Sequence, residues 1–159
     1  MIILDVNTTM NQTLGSSGSE SRLKVALEAV RMLLEQKLLN NPKHEVALVL
    51  SGTPNTNNRM HENYGDAHHF SNISVVRSPQ PVDLNLFRQV QGVQPTPASA
   101  ASQITGASML DALQVGIDIL TQHCGARKYK KRMFLMTDGE RSEIGQRQGR
   151  VDEDVATVV

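Results

Sequence analysis

The chain has 159 residues, a length that usually folds as one domain around a single hydrophobic core. Because 39% of its residues are hydrophobic, it can bury enough surface to fold without disulfides, and disorder along the whole chain is excluded. Its 16 basic and 16 acidic residues cancel, so any affinity for nucleic acid must come from a local patch. The single cysteine, Cys124, fits a reducing compartment, and no apolar run approaches the ~20 residues that a membrane-spanning helix needs.

The first part of the chain alternates short apolar runs with one long amphipathic segment. Residues 2–4 are apolar and end at Asp5, which indicates a strand that runs into a loop. Over residues 22–38, leucine, valine and alanine recur at helical spacing, which predicts an amphipathic helix. Residues 46–50 are apolar on both faces, which is typical of a parallel-sheet strand that helices cover on both sides.

The middle of the chain is rich in turn-forming residues. Residues 54–72 contain many Asn, His and Gly residues and are predicted to form a long loop. Residues 73–77 are predicted as a strand, which Pro79 and Pro81 close. Asp83 is placed to cap a short helix, because an Asp side chain accepts a backbone N–H of the first helical turn. We expect the inward residues of that helix to be Leu84, Phe87 and Val90.

The last part of the chain contains a second amphipathic segment and a final strand. Residues 92–105 combine prolines with many small residues and are predicted as a loop. Residues 108–123 are predicted as a helix that ends before Gly125, since glycine is common just after a helix C-terminus. Residues 132–137 fit a buried strand, and the valines within residues 151–159 indicate the start of another helix. The apolar stripe of the 108–123 helix comprises Met109, Leu110, Ala112, Leu113, Ile117 and Leu120.

These elements follow the order of an α/β fold, a three-layer sandwich with a mostly parallel open sheet and helices on both faces. In such sheets the functional crevice lies beyond the carboxyl ends of the strands, and Asp5 and Asp138 occupy two such ends. Asn7 and Thr9 follow Asp5 at alternate positions of a tight turn, where side-chain oxygens can converge on one hard cation. The sequence therefore predicts a divalent-metal cup at this edge of the sheet.

Three motifs together resemble a von Willebrand factor A domain. They are Asp5-Val6-Asn7-Thr8-Thr9 after a strand, Asp111-Ala112-Leu113 in a helix, and Thr137-Asp138-Gly139 after a strand. Further blocks are similar to the N-terminal domain of the large, eighty-kilodalton subunit of Ku, and they cover most of residues 1–140 in the right order. These blocks are Glu45-Val46-Ala47-Leu48-Val49-Leu50-Ser51-Gly52-Thr53, Asn72-Ile73-Ser74-Val75-Val76-Arg77, Leu110-Asp111-Ala112-Leu113, Ile117-Asp118-Ile119-Leu120 and Lys130-Lys131-Arg132. The resemblance implies a single Rossmann-type domain over residues 1–159 that is incomplete.

The resemblance also implies which residues would form a metal site. The five positions of the family's motif fall on Asp5, Asn7, Thr9, Ser108 and Asp138. Asn7 stands where the family has its first serine, and the family's middle-loop threonine falls at Ala107 or at Ser108. No cofactor is implied beyond a Mg²⁺ ion at this altered site. The alternative is that Asp5, Thr9 and Asp138 hydrogen-bond one another and the loop amides, which satisfies buried strand ends without a metal.

The resemblance to Ku implies a role in DNA double-strand break repair by non-homologous end joining and in telomere maintenance. It implies a nuclear heterodimer with the Ku small subunit that binds DNA ends. In that family a β-barrel later in the chain encircles DNA, and this sequence does not contain it. What remains is a module for protein interaction, which contacts end-joining repair factors through short peptide motifs. We expect no enzymatic activity, because the ATP-dependent helicase activity sometimes credited to the family has no G-x-x-x-x-G-K-[ST] loop here.

The main local charge feature is a basic segment near the last strand. It comprises Arg127, Lys128, Tyr129, Lys130, Lys131 and Arg132. Clustered cations with an interleaved aromatic residue are typical of phosphate contacts in nucleic-acid binding or of a nuclear-import signal. The alternative is a solvated loop that leads into a strand, since runs of charge are usually exposed.

Two other functions remain open. A haloacid-dehalogenase-type phosphotransferase also has an Asp-x-Asp-x-Thr turn after its first strand, and Asp5 and Thr9 match two of those positions. Asn7, however, cannot act as the general acid and base that this chemistry requires. A generic von Willebrand factor A adhesion or scaffold module would instead bind an acidic partner through a metal ion, so its binding would depend on that ion.

Isolated histidine and cysteine residues are predicted to have no chemical role. His61, His68 and His69 lie near Glu62 and Asp66, but their spacing matches no standard zinc pattern, so we interpret this region as a solvated loop. Cys124 follows a helix without an arranged base and is predicted to be no catalytic thiol.

The resemblance also bears on the extent of the chain. Family members carry residues before the first strand and a further strand-helix-strand section after the Thr137-Asp138-Gly139 motif, so we expect this chain to be a partial product. A central strand of only residues 2–5 makes few ladder hydrogen bonds. We therefore expect the isolated chain to be marginally stable.

Overall fold

The computed structural model describes residues 1–14, 19–64, 69–104 and 108–140, which form an α/β fold as predicted. The strands are β1 (Ile2–Asp5), β2 (Glu45–Ser51), β3 (Ile73–Pro81) and β4 (Phe134–Met136). The helices are α1 (Arg22–Asn40), α2 (Arg59–Tyr64), α3 (Leu84–Gln91) and α4 (Met109–Cys124), with 3-10 turns at Thr8–Asn11 and Ala98–Gln103. None of these helices has the length and apolar character needed to cross a membrane.

The sheet has the strand order β3-β2-β1-β4, which places β1 in its interior. β1 pairs in parallel with β2 on one side and with β4 on the other, whereas β2 and β3 are antiparallel. The sheet is therefore mostly parallel, as predicted. Because β1, β2 and β4 run in the same direction, the residues that follow their carboxyl ends all emerge at one edge of the sheet.

Helices cover both faces of the sheet because alternate residues of its strands point to opposite sides. On one face Ile3, Ala47 and Val49 pack with Ala112 and Val115 of α4. On the other face Ile2, Val46 and Leu48 pack with Val30 and Leu34 of α1 and with Leu86 and Val90 of α3. Both faces of β2 are thus buried, which explains its uninterrupted apolar sequence.

α1 confirms the helix predicted over residues 22–38 and extends it to Asn40. The hydroxyl of Ser21 caps its start by accepting a hydrogen bond from the backbone N–H of Lys24, at 3.2 Å. Such a cap satisfies one of the backbone N–H groups that have no partner within the helix. This cap fixes the position of the first helical residue, Arg22, which contacts the site described below.

α4 confirms the second predicted helix but presents a different face to the sheet. Leu110 and Ile117 are 52% and 56% exposed, whereas Val115 and Gly116 are buried. A β-carbon on Gly116 would lie 3.0 Å from Ile3 Cδ1, so the absence of a side chain lets α4 approach β1 closely. The predicted stripe is therefore wrong at Leu110 and Ile117, because smaller residues of α4 face the strand.

The structure differs from the predicted strand end and from the predicted loop in two places. β3 continues through Pro79 to Pro81 and does not stop at Arg77. β3 is an outer strand of the described sheet and pairs only with β2 there. Proline is tolerated in such a strand, because its missing N–H costs no hydrogen bond on the side without a neighbouring strand. Within the predicted long loop, residues 59–64 form the short helix α2.

Asp83 caps α3 as predicted, and its carboxylate serves two donors. Arg77 Nη1 and the backbone N–H of Leu86 donate to Asp83 Oδ1 at 2.8 and 2.9 Å. These contacts lower the pKa of Asp83 to about 2, with the Arg77 hydrogen bond as the largest cause. Leu86 and Val90 are buried but Leu84 is exposed, so the predicted inward position of Leu84 is wrong.

β4 occupies its predicted place in the sheet but is not buried. Phe134 and Leu135 are both partly exposed to solvent. β4 pairs only with β1 in the described part of the chain, and this leaves its outer side open. The helix predicted within residues 151–159 lies outside the described residues.

Truncation of Leu34 tests the packing of α1 against the sheet. Leu34 is fully buried, so Leu34→Ala is expected to lower the free energy of unfolding by about 2–5 kcal/mol, through lost burial and the cavity it leaves. The matched control is Leu39→Ala on the same helix, where the side chain is 79% exposed and the expected change is within about 0.5 kcal/mol. Urea unfolding followed by circular dichroism measures both, and equal losses would contradict the assigned helix face.

Candidate functional site

The site lies where β1 and β4 end, and we call Asp5, Asn7, Thr9 and Asp138 the carboxylate rim. Asp5 is almost fully buried, and both of its carboxylate oxygens have donors. The backbone N–H of Asn7 donates to Oδ1 at 2.9 Å, and the hydroxyl of Thr137 donates to Oδ2 at 2.8 Å. The carboxylate of Asp5 thus ties the turn after β1 to the residue after β4.

Asp138, on the neighbouring strand end, also has a donor on each oxygen. The backbone N–H of Glu140 donates to Oδ1 at 3.0 Å, and Arg22 Nη1 donates to Oδ2 at 2.8 Å. Arg22 Nη2 also contacts Glu140 Oε1 at 2.7 Å, so one guanidinium bridges two carboxylates. The first residue of α1 is thereby attached to the loop after β4.

The two rim carboxylates have opposite electrostatic environments. Burial is the largest influence on Asp5 and raises its pKa, and the negative charge of Asp138 raises it further. The hydrogen bonds from Asn7 and Thr137 lower the pKa but do not cancel this rise. Burial also acts to raise the pKa of Asp138, but the Glu140 amide, Arg22 and the Thr9 hydroxyl outweigh it and the pKa is lowered. Asp138 therefore keeps its charge more readily than Asp5.

The structure brings Asp5, Thr9 and Asp138 together, as the parallel arrangement of their strands predicts. The buried Thr9 Oγ1 has no well-aligned hydrogen bond, but it lies close enough to Asp138 to help lower the pKa of that carboxyl group. Ser108, the fourth oxygen ligand implied by the resemblance, precedes α4 and is buried. No hydrogen bond in the described part of the chain joins Ser108 to the rim.

Asn7 enters the rim against the backbone of Gly52. Gly52 has a φ of +83°, and a β-carbon there would lie only 2.4 Å from Asn7 Oδ1. Asn7 Oδ1 is buried without a hydrogen-bond partner. Thr96 closes the same region, since its N–H donates to the Val6 carbonyl at 2.8 Å and its hydroxyl to the Gly52 carbonyl at 2.6 Å.

Five of these contributors were given no role in the site from the sequence. They are Arg22, Gly52, Thr96, Thr137 and Glu140. The glycine just after a buried strand was a usable signal, because such positions often bring backbone close to a neighbour. Nothing in the local pattern around Arg22 or Thr96 indicates a contact with a residue far away in the chain.

The rim as it stands does not fit a bound divalent cation. Asn7 Oδ1 and Thr9 Oγ1 are buried oxygens that accept no hydrogen bond, so both would be available to a cation. All four oxygens of Asp5 and Asp138, however, already accept hydrogen bonds, and the guanidinium of Arg22 contacts Asp138. Hard cations of the Mg²⁺ type need most of their oxygen ligands available. Within the described ranges no group of three or more His, Cys, Asp or Glu side chains is placed to hold a metal ion.

The basic segment lies at the opposite edge of the sheet, between the end of α4 and the start of β4. Its five cations, Arg127, Lys128, Lys130, Lys131 and Arg132, are all exposed. No carboxylate among the described residues forms an ion pair with any of them. Arg127 lies 6.0 Å above the ring of Tyr129, and the N-terminal amine of Met1 donates to the Arg132 carbonyl at 3.1 Å. The segment therefore presents charge to solvent from a fixed backbone position.

A groove runs between α2, β3 and α4 on the remaining side. Its volume is about 530 Å³, and its walls combine apolar residues with an ion pair between Arg59 and Asp118 at 2.8 Å. Gln122 donates to the same Asp118 oxygen at 2.7 Å. The groove is thus open to solvent and lined by both polar and apolar residues.

The predicted histidine region is partly described. His61 lies in α2, and its Nδ1 is 3.0 Å from the carbonyl of His69, while His68 and Asp66 lie outside the described residues. Cys124 is buried as the last residue of α4. Glu62 belongs to the same short helix as His61.

The family described as Ku70/Ku80 N-terminal alpha/beta domain matches residues 1–152. The chain belongs to this family. A relative from Arabidopsis thaliana, named ATP-dependent DNA helicase 2 subunit KU80, is 30% identical over 159 residues, which are 99% of this chain and 21% of the relative. X-ray repair cross-complementing protein 5 of Dictyostelium discoideum is 26% identical over 140 residues, which are 87% of this chain and 16% of the relative. ATP-dependent DNA helicase II subunit 2 of Schizosaccharomyces pombe is 28% identical over 138 residues, 86% of this chain and 18% of the relative.

The match confirms the resemblance to the N-terminal domain of the Ku large subunit. This Ku-type domain spans between 16% and 21% of the length of those three relatives. The match favours neither the phosphotransferase nor the generic adhesion module. The geometry of Asp5 agrees, because a buried carboxylate with donors on both oxygens is poorly placed to attack a phosphate ester.

Substitution of Gly52 tests the close approach of Asn7. Gly52→Ala places a methyl group in the space of Asn7 Oδ1 at a positive φ, and is expected to lower the free energy of unfolding by about 2–4 kcal/mol. The matched control is Gly125→Ala, which has a φ of +50° but nothing within 4 Å of the added carbon. Its expected cost is only about 1–2 kcal/mol, from backbone strain alone. Equal costs in urea unfolding would show that Asn7 does not contact Gly52.

Proposed function

We propose that this Ku-type domain serves DNA double-strand break repair by non-homologous end joining and telomere maintenance in the nucleus. The observation that carries the proposal is the family match over residues 1–152, together with relatives whose names refer to X-ray repair and to the KU80 subunit. The contact between the ends of β1 and β4 is consistent with it, because this contact brings together Asp5 and Asp138, two positions of the motif that the resemblance implies.

The domain acts in this proposal as an interaction module within a heterodimer with the Ku small subunit. The β-barrel that encircles DNA ends in this proposal is not part of the described residues, which form an α/β fold. The groove between α2, β3 and α4 offers a concave surface for contacts with end-joining factors. We further propose that the domain catalyses no reaction, because the sequence has no phosphate-binding G-x-x-x-x-G-K-[ST] loop.

Co-purification tests the proposed heterodimer. The full-length protein that contains this chain is co-expressed with the Ku small subunit of the same organism, and only the former carries a tag. We expect a stable complex that binds linear double-stranded DNA but not a covalently closed circle of the same sequence, because only the linear form has ends. A protein that elutes without the small subunit and binds both DNA forms equally would contradict the proposal.

We propose in addition that the basic segment contacts phosphates. Its five cations have no carboxylate partner among the described residues, so none is neutralised before a polyanion arrives. The carboxylate rim lies at the other edge of the sheet, which keeps its negative charge away from that surface. The exposed Tyr129 beside Arg127 adds a ring that a base can stack on.

Charge reversal of Lys130 and Lys131 tests the phosphate contact. Each lost phosphate contact removes ~0.9 from the slope of log K against log salt, so the double variant Lys130→Glu, Lys131→Glu is expected to flatten the slope by about 1.8. The matched control is Lys24→Glu, an exposed lysine near the opposite edge, which leaves the slope unchanged. Fluorescence anisotropy of the heterodimer on end-labelled DNA measures the slope. An unaltered slope in the double variant would contradict the phosphate contact. If the same variant also fails to accumulate in the nucleus, the segment serves nuclear import instead.

A further inference from the structure

The carboxylate rim combines buried negative charge with one cation that contacts it. Asp5 and Asp138 lie close enough for the charge of one to affect the other, and Glu140 adds a third carboxylate at the margin. Carboxylates brought together away from water repel one another unless a positive charge lies between or beside them. In metal-binding proteins a divalent cation supplies that charge.

In this chain the positive charge comes from Arg22. Its guanidinium contacts Asp138 Oδ2 at 2.8 Å and Glu140 Oε1 at 2.7 Å through two different nitrogens. The side chains of Arg22 and Asp138 are 21% and 6% exposed, so this pair is shielded from solvent more than the other ion pairs of α1. A planar guanidinium that bridges two carboxylates is a strong and geometrically specific contact.

The backbone holds Arg22 in this position. Its N–H donates to the carbonyl of Gln12 at 2.9 Å, and the capped start of α1 follows immediately. Gln12 belongs to the turn after β1, so the same short stretch of chain positions both Asp5 and Arg22. The backbone of Arg22 is therefore fixed beside the rim, and the contacts with Asp138 and Glu140 hold its guanidinium there.

We propose that Arg22 is an internal counter-cation that takes the place of a divalent metal ion at the carboxylate rim. Removal of Arg22 then opens a cation site. That site comprises the carboxylates of Asp5 and Asp138 and the buried oxygens Asn7 Oδ1 and Thr9 Oγ1, which accept no hydrogen bond. The charge that Arg22 supplies does not depend on the role of the domain in repair.

Titration with Mn²⁺ tests this proposal, with the free ion measured by electron paramagnetic resonance. Arg22→Met removes the charge while it keeps a long side chain, and is expected to lower the Kd for Mn²⁺ at least tenfold relative to the unaltered chain. The matched control is Arg31→Met on the same helix, where the arginine pairs only with exposed Glu28 and Glu35. This control is expected to leave the Kd unchanged. Asp138→Asn added to Arg22→Met is expected to abolish the gain.

Two results would overturn the proposal. The first is an unaltered chain that binds Mn²⁺ as tightly as Arg22→Met and loses this binding in Asp138→Asn, because a metal would then coexist with the arginine. The second is an Arg22→Met variant with native circular dichroism and no gain in affinity. If Arg22→Met does not fold, Arg22→Gln gives the same comparison, because glutamine keeps hydrogen-bond donors without the charge.

Discussion

Parallel pairing of β1 with both β2 and β4 is the constraint on which the rest of this structure depends. Three strands that run in one direction deliver their following loops to one edge of the sheet. The turn with Asp5 and Asn7, the turn at Gly52 and the loop with Asp138 therefore meet, although they are distant in sequence. The same constraint sends the basic segment to the opposite edge, because it precedes β4.

The electrostatics of the rim follow from this crowding. Burial disfavours the charged form of both aspartates, and different neighbouring groups stabilise the charge at each of them. Asp5 has only neutral donors, and its pKa is raised. Asp138 has an arginine in addition, and its pKa is lowered. The two aspartates thus lie at one edge of the sheet in different environments, and only Asp138 contacts the guanidinium of Arg22.

The separation of charge across the sheet matters for the proposed role. A domain with zero formal net charge has no long-range attraction for DNA as a whole. Five exposed cations that form no ion pair within the described residues are gathered in one loop, and Asp5 and Asp138 are held at the far edge beside Arg22. The basic segment is therefore the part of this domain where the proposed contact with phosphates can form without interference from the rim carboxylates.

The sequence alone determined the fold class, the limits of α1 and α4 to within a few residues, and the meeting of Asp5, Thr9 and Asp138. The helices follow from hydrophobic periodicity, which is a local property of the chain, and the order of strands and helices along the chain predicts a parallel sheet. Only the tertiary structure decided that Gly116 and Val115 of α4 face the sheet, because the close approach of a helix depends on which side chains are small where it touches the strand. It also decided that Arg22 binds Asp138, a pair 116 residues apart in sequence. No local pattern encodes such a contact, since it arises only when the start of one helix and the end of a distant strand are packed at the same edge.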